Sequence, residues 1–276
     1  MKRIVTIQDI SCFGKCSITV ALPIISAMGV ETAIMPTAVL STHTMFSNFT
    51  CKDLEDQIVP VTDHWKEQNI KFDGIYTGYL ASAEQIKTVM GAIDTIKSDD
   101  TYVVVDPAMA DNGSLYPAFD KDFPKEMAKL CGVADIILPN ITEACFLTNT
   151  EYKEEYDKSY IDELINKLSL LGSKKIVLKG VVLDEKFGVL SYDCLTGESN
   201  FYSHERIPVS YHGTGDVFAS TFVGSVMRGK TIEESVKIAS AYTVESIKIT
   251  YNRVGKDSYG VDFETAMPYL IETINK

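Results

Sequence analysis

Short runs of β-branched and apolar residues recur along this chain, each giving way to a stretch whose apolar residues return at helical spacing. That alternation restricts the fold more than any other feature. Residues 3–7, 32–36, 74–77, 102–106, 134–138 and 175–179 read as strands, and 18–28, 83–96 and 161–171 as helices. The strand runs are nearly continuous in apolar character, which is the mark of strands buried on both faces. The pattern therefore predicts an α/β fold in three layers, a largely parallel central sheet with helices on each side. Residues 188–192 and 198–207 flank Leu195-Thr196-Gly197 and predict an antiparallel hairpin added to that sheet. No Pro-, Gly- or Ser-rich linker, repeat or low-complexity tract interrupts the 276 residues, so a single domain spanning 1–276 is expected.

Ligands of an open parallel sheet bind beyond the carboxyl ends of its strands. The residues to weigh are therefore 8–11, 37–44, 78–81, 106–113, 140–143 and 212–216. Composition narrows what such a ligand can be. A net charge of −12 repels polyanions, and no basic patch offsets it, so neither nucleic acid nor an anionic membrane surface is an expected partner. No apolar run approaches a membrane span, and the amino terminus lacks a signal-peptide core, which predicts a cytoplasmic protein. The six cysteines are dispersed, as free thiols in a reducing compartment would be. Cys12 and Cys16 form a close pair, but no second pair or nearby His completes a zinc site.

Three motifs carry chemistry. His212-Gly213-Thr214-Gly215-Asp216 opens a helical stretch, 217–227, and so puts glycines at a helix N-terminus. Unpaired main-chain N–H groups and missing Cβ atoms there form a cradle for an anion. Asp216 would lie beside a phosphoryl group in transfer, where a weak base suffices because the transition state is loose. By itself the motif reads equally as a glycine turn with Asp216 as a helix cap. Leu138-Pro139-Asn140-Ile141-Thr142-Glu143 ends one strand and starts a helix; Glu143 could help hold a hydrated Mg²⁺, or the segment could simply be a capping arrangement around Thr142 and Glu143. Asp106-Pro107-Ala108-Met109-Ala110-Asp111-Asn112-Gly113 sets two carboxylates on one strand-to-loop turn, needing a cation or lysine to balance them. The phosphate-binding pattern G-x-x-x-x-G-K-[ST] and the dinucleotide pattern G-x-G-x-x-G are both absent.

Together, in this order, the three motifs resemble the ribokinase-like superfamily over essentially the whole chain. Thr6-Ile7-Gln8, Phe13-Gly14, residues 36–44 and Gly78-Tyr79-Leu80-Ala81-Ser82 are similar to the corresponding segments of its pyridoxal kinases. The resemblance implies a ribokinase-like fold and ATP-dependent phosphorylation of the 5′-hydroxymethyl group of a B6 vitamer. It makes Asp216 the base, with Gly213, Thr214 and Gly215 as the anion hole. Thr37, His43 and Tyr79 would line the vitamin pocket with Asp9 and Ser11, and Asp106, Asp111, Asn140, Lys179 and Thr214 would face the nucleotide. Glu143 and Asp106 would serve Mg²⁺, with a monovalent cation as a further candidate, in a homodimer. Val209 and Ala239 are candidates for an adenine slot. The sequence departs from the family at Asp9, where many pyridoxal kinases have serine after Ile-Gln. A carboxylate there could pair with a protonated pyridine or serve an aminopyrimidine, so a hydroxymethylpyrimidine kinase is the alternative enzyme. A vitamin-binding protein without catalysis is the alternative outside enzymes.

Overall fold

The structure is a computed structural model that describes residues 1–255 and 258–276. Along the chain come β1 (Arg3–Ser11), α1 (Ile18–Ala27), β2 (Glu31–Leu40), β3 (Cys51–Asp53), α2 (Glu55–Glu67), β4 (Gly74–Thr77), α3 (Ala83–Ile96) and β5 (Tyr102–Val105). The hairpin β6 (Ala110–Asp111) and β7 (Ser114–Leu115) precedes α4 (Phe123–Gly132), β8 (Ile136–Ile137), α5 (Ile141–Thr148) and α6 (Lys158–Ser169). The last part comprises β9 (Lys175–Leu183), β10 (Lys186–Asp193), β11 (Ser199–Ser203), α7 (Thr214–Met227), α8 (Ile232–Val254) and α9 (Phe263–Ile274).

One sheet runs in the order β11-β10-β9-β8-β5-β4-β1-β2-β3. Its six central strands, β9 to β2, pair in parallel, while β3 at one margin and β10 and β11 at the other are antiparallel. Alternation along each strand sends side chains to opposite layers. In β1, Val5 and Ile7 pack with residues of α2 to α6, whereas Ile4 packs with α1, α7 and α8. The three-layer sandwich and the added hairpin expected from the sequence are both present.

Two strands run further than their apolar character suggests. β1 continues through Ser11 and β2 through Leu40, so Gln8, Asp9, Ser11 and Thr37, expected in loops, are buried strand residues. The pairing of β1 with β4 ends at Ile7, and beyond it β1 is held by β2, which itself gains β3 through Ala38, Val39 and Leu40. In the opposite direction, β8 keeps only Ile136 and Ile137, with Pro139 unable to donate to a neighbouring strand. From β1 the chain passes to β2 on one side and then crosses to β4 on the other. That reversal opens a crevice at the carboxyl ends of β1 and β4, where an open α/β sheet binds its ligand.

Candidate active site

The crevice begins at a β-bulge. Where β1 pairs with β2, Gln8 faces Pro36 and Ile10 faces Val39, leaving Thr37 and Ala38 opposite the single residue Asp9. Such a bulge re-aims side chains, and it brings Asp9 and Thr37 to one point on the sheet edge. Asp9 is only 4% exposed; the Ser11 hydroxyl donates to its Oδ2 at 3.3 Å. Burial raises its carboxyl above the usual range, and the hydroxyls of Ser17 and Ser11 oppose that rise. Tyr79 follows β4, half-buried, with its ring 5.4 Å from that of Phe119. Its phenol is pushed up to about 12 by burial and by the charge of Asp9. A carboxylate and an aromatic ring therefore stand near one another beyond the ends of β1 and β4.

A second group lies at the ends of β5, β8 and β9. Lys179 Nζ donates to Asp106 Oδ1 at 2.9 Å, and both side chains are largely buried. Burial disfavours the Lys179 charge, but Asp106, Glu143 and Asp216 hold its pKa above the ordinary value. Asn140 is tied to Lys179 by a parallel bridge, the Lys179 N–H reaching the Pro139 carbonyl at 2.8 Å. Asn140 and Glu143 form the capping box of α5: Asn140 Oδ1 accepts the Glu143 N–H at 2.8 Å, and Glu143 Oε2 accepts the Asn140 N–H at 2.7 Å. The other Glu143 oxygen accepts the Met109 N–H at 3.3 Å. Burial lifts the Glu143 carboxyl to about 8, against the pull of Lys179.

The third group is the start of α7. Gly213 occupies the N-cap position at φ +82°, a left-handed conformation that other residues avoid, and no side chain caps the helix. A Cβ on Gly213 would run into the carbonyl oxygen of Lys15, so this glycine is demanded by packing. A Cβ on Gly215 would meet nothing within 4 Å. Helix geometry does not require glycine there, and its bare main chain faces open space, as a phosphate cradle needs. Thr214 donates its hydroxyl to the Tyr211 carbonyl. Burial and the neighbouring Asp106 raise the Asp216 carboxyl to about 7, and the Ser17 main-chain N–H holds it down.

Asp106, Glu143, Lys179 and Asp216 thus form one electrostatic cluster, and Asp9 contributes to it through Asp216. Two expected members stand differently. Asp111 is exposed on the β6–β7 hairpin, whose turn residues Asn112 and Gly113 have φ of 49° and 75°, and its carboxylate accepts from Asn112. His43 is 1% exposed, with Nε2 against the Tyr259 carbonyl at 2.9 Å and Nδ1 accepting the Met45 N–H at 3.2 Å. Its ring stacks on His212 at 4.4 Å, joining the loop after β2 to the residue before the glycine cradle. Ala239, suggested for an adenine slot, is fully buried in the core beside α7; Val209 is half-buried.

Sequence reasoning missed Ser17, Lys15 and Tyr116. Tyr116 follows the hairpin, 37% exposed, and its phenol is raised by partial burial and by the charges of Glu143, Asp111, Asp106 and Asp216. The Asn112-Gly113 turn marks the hairpin in the sequence, but nothing there marks Tyr116 as a neighbour of the acidic cluster. Ser17 carries φ 51° and ψ −132°, a backbone state with no signature in a serine.

Among the described residues no three His, Cys, Asp or Glu side chains converge as a metal cage. Glu143, expected to help hold a hydrated Mg²⁺ with Asp106, accepts from main-chain N–H groups, and Asp106 accepts from Lys179. The cluster nevertheless sets three carboxylates against one lysine, a surplus of oxygen donors and negative charge that suits a hard cation keeping most of its waters.

A three-layer sandwich whose switch-point crevice holds a bare helix N-terminus, a carboxylate beside it and a buried lysine is the architecture of a ribokinase-like small-molecule kinase. The chain belongs to the phosphomethylpyrimidine kinase family, whose profile matches residues 6–262. A Bacteroides thetaiotaomicron protein, provisionally named a phosphomethylpyrimidine kinase and crystallised with pyridoxal, is 34% identical, with a TM-score of 0.92 over 98% of this chain and 95% of that one. The pyridoxal kinase of Lactobacillus plantarum is 28% identical, with a TM-score of 0.88 over 99% and 97%. A hydroxymethylpyrimidine/phosphomethylpyrimidine kinase of Aquifex aeolicus is 25% identical over 71% of this chain and 74% of its own length. The pyridoxal kinase family of the ribokinase-like superfamily is the family the motifs pointed to, and the chain is a phosphotransferase that uses ATP on a small-molecule acceptor. No helix among the described residues is long and apolar enough to cross a membrane.

Proposed function

We propose that the acceptor is a B6 vitamer, phosphorylated on its 5′-hydroxymethyl group. The observation that carries this reading is the buried carboxylate of Asp9, whose charge reaches the Tyr79 phenol beyond the ends of β1 and β4. A flat heteroaromatic ring stacks on Tyr79, and its protonated nitrogen pairs with Asp9, a charge pairing that offsets the cost of burying that carboxylate. Ser11 and Thr37 complete this side of the pocket. The 34% identity to a protein crystallised with pyridoxal supports the same ring.

Asp216 accepts the hydroxyl proton as the oxygen bonds to the terminal phosphorus of ATP and the bond from that phosphorus to the bridging oxygen breaks, ADP leaving. The raised proton affinity of its carboxyl suits a base working near neutrality. Main-chain N–H groups of Gly213, Thr214 and Gly215 receive the charge spread over the transferring phosphoryl oxygens, and Lys179 neutralises the nucleotide phosphates. Asp106 and Glu143 would supply the negative field that holds a hydrated Mg²⁺, which would neutralise charge on the nucleotide phosphates.

A second reading, a hydroxymethylpyrimidine kinase, is favoured by Asp9 itself, since a carboxylate also accepts from an aminopyrimidine. Release of ADP from Mg-ATP with pyridoxal, pyridoxamine, pyridoxine and hydroxymethylpyrimidine separates them. Turnover on the vitamers is expected; turnover on the pyrimidine alone would move the substrate and keep the mechanism. Asp9→Ser should change preference within that panel more than it changes KM for ATP, and an unaltered profile would remove Asp9 from ring recognition.

A further inference from the structure

Ser17 holds a backbone conformation that costs a non-glycine residue on the order of 1–3 kcal/mol, and such strain persists only where the surroundings enforce it. It is 5% exposed, stands at the N-cap of α1, and makes no capping hydrogen bond, although serine favours that role. It stands close enough to Asp9 and Asp216 to oppose the rise that burial imposes on both carboxyls. What enforces the strain lies two residues earlier. The Lys15 carbonyl backs onto Gly213, and the Lys15 ammonium crosses to the far end of the chain, donating to Asp262 Oδ1 and Glu264 Oε2 at 2.7 Å each. Asp262 is 4% exposed and is gripped again by Arg253, at 2.6 Å from Nε and 2.9 Å from Nη2. The Lys15 stem packs against Gly260, where a Cβ would approach it to 2.7 Å. The loop is also braced locally, the Thr19 hydroxyl reaching the carbonyls of Gly14 at 3.1 Å and Cys16 at 2.7 Å.

We propose that Lys15 and Asp262 are positioning residues for phosphoryl transfer: their buried ion pair pins the loop after β1 so that the Lys15 carbonyl backs the glycine cradle that leads into Asp216. Neither side chain touches substrate. The inference rests on the kinase reading of Asp216, but not on which ring is the acceptor.

Kinetics and amide hydrogen exchange on the full chain test it together. Lys15→Met keeps the stem and removes the pair, and kcat is expected to fall about tenfold or more, the scale of a small misplacement of reacting groups. KM for ATP should move less than about threefold, because the phosphate-facing atoms remain, and Lys15→Arg should restore kcat because arginine can remake both ion pairs. Glu264→Gln, which removes only the more exposed partner, should stay within about twofold of the parent. In the same variants, exchange across residues 211–217 should quicken in Lys15→Met and recover in Lys15→Arg, with the β10–β11 hairpin unchanged. Unaltered kcat and local exchange in Lys15→Met would overturn the proposal, and so would a loss that Lys15→Arg fails to repair. If the parent turned over none of the offered rings, the substrate reading would fail, and the exchange comparison would still decide whether Lys15 pins the cradle.

Discussion

Two helices begin at the same edge of this sheet and solve their first turns in opposite ways. α5 is closed by its own side chains: Asn140 and Glu143 satisfy each other's main-chain N–H groups, and the second Glu143 oxygen takes that of Met109. α7 begins at a left-handed glycine with no side-chain cap, next to a second glycine that opens onto space. An unfilled helix start leaves N–H donors and a positive dipole available, whereas a capping box uses them up. Two motifs that look alike as strand-to-helix junctions thus differ in what they can bind. The start of α7 is built for an anion, and the start of α5 for rigidity beside a charged cluster.

The largest effect should come from breaking the open end chemically. Asp216→Asn keeps the size and first-turn position of the side chain but removes the base, so kcat should fall by ~10²-fold or more, measured as ADP release. Near-native turnover would show that the carboxylate is only a first-turn acid. The adjacent glycines should then separate binding from packing. Gly215→Ala meets no atom, and alanine suits a helix better than glycine, so stability should hold or rise by about 0.5–1 kcal/mol while turnover falls as the methyl enters the cradle. Gly213→Ala combines φ +82° with a clash against the Lys15 carbonyl and should lower the melting temperature markedly. Equal melting of the two variants would mean that the cradle has no packed side.

Proton linkage sharpens the same contrast. Burial raises the Asp216 carboxyl from 3.8 to about 7, so the native state favours its protonated form. That preference stabilises the fold fully below about 4 and is lost as pH rises through about 7. Asp216→Asn should therefore melt higher than the parent at pH 8, with the advantage shrinking across that window and vanishing near its lower end. Parent kcat/KM should fall as pH drops through the same range, because the free enzyme's base becomes protonated. A melting difference independent of pH would mean that the carboxyl is not buried against its charge.

How much of this was legible in the sequence follows from where the information sits. Apolar runs such as Gly74–Thr77 and the periodicity of Ala83–Ile96 depend on local patterning, and both elements occur with the bounds that patterning suggests. The carboxyl ends of β1 and β2 were misread because Gln8, Asp9, Ser11 and Thr37 are polar, and polar residues in a strand interior occur where a pocket interrupts the core. The glycines around Asp216 marked a helix start, but their different jobs depend on Lys15, about two hundred positions away. The strain at Ser17 and the placing of Tyr116 near the acidic cluster depend on long-range packing that no local pattern records.

The smallest effect tests the closed end. Asn140→Ala removes the side chain that accepts the Glu143 N–H at 2.8 Å and donates to the Ala110 carbonyl at 2.9 Å. Loss of such a cap costs about 1 kcal/mol, or a few degrees of melting temperature for a chain of this size. Glu143→Gln keeps the box, since glutamine can also accept from the cap N–H, but it subtracts one negative charge from the cluster. The two variants should therefore diverge. Asn140→Ala should melt earlier, while Glu143→Gln should melt near the parent and need more Mg²⁺ to reach half-maximal turnover. If Glu143→Gln left the Mg²⁺ requirement untouched, its carboxylate would be a cap alone, and the division between an open, chemical helix start and a closed, structural one would be complete.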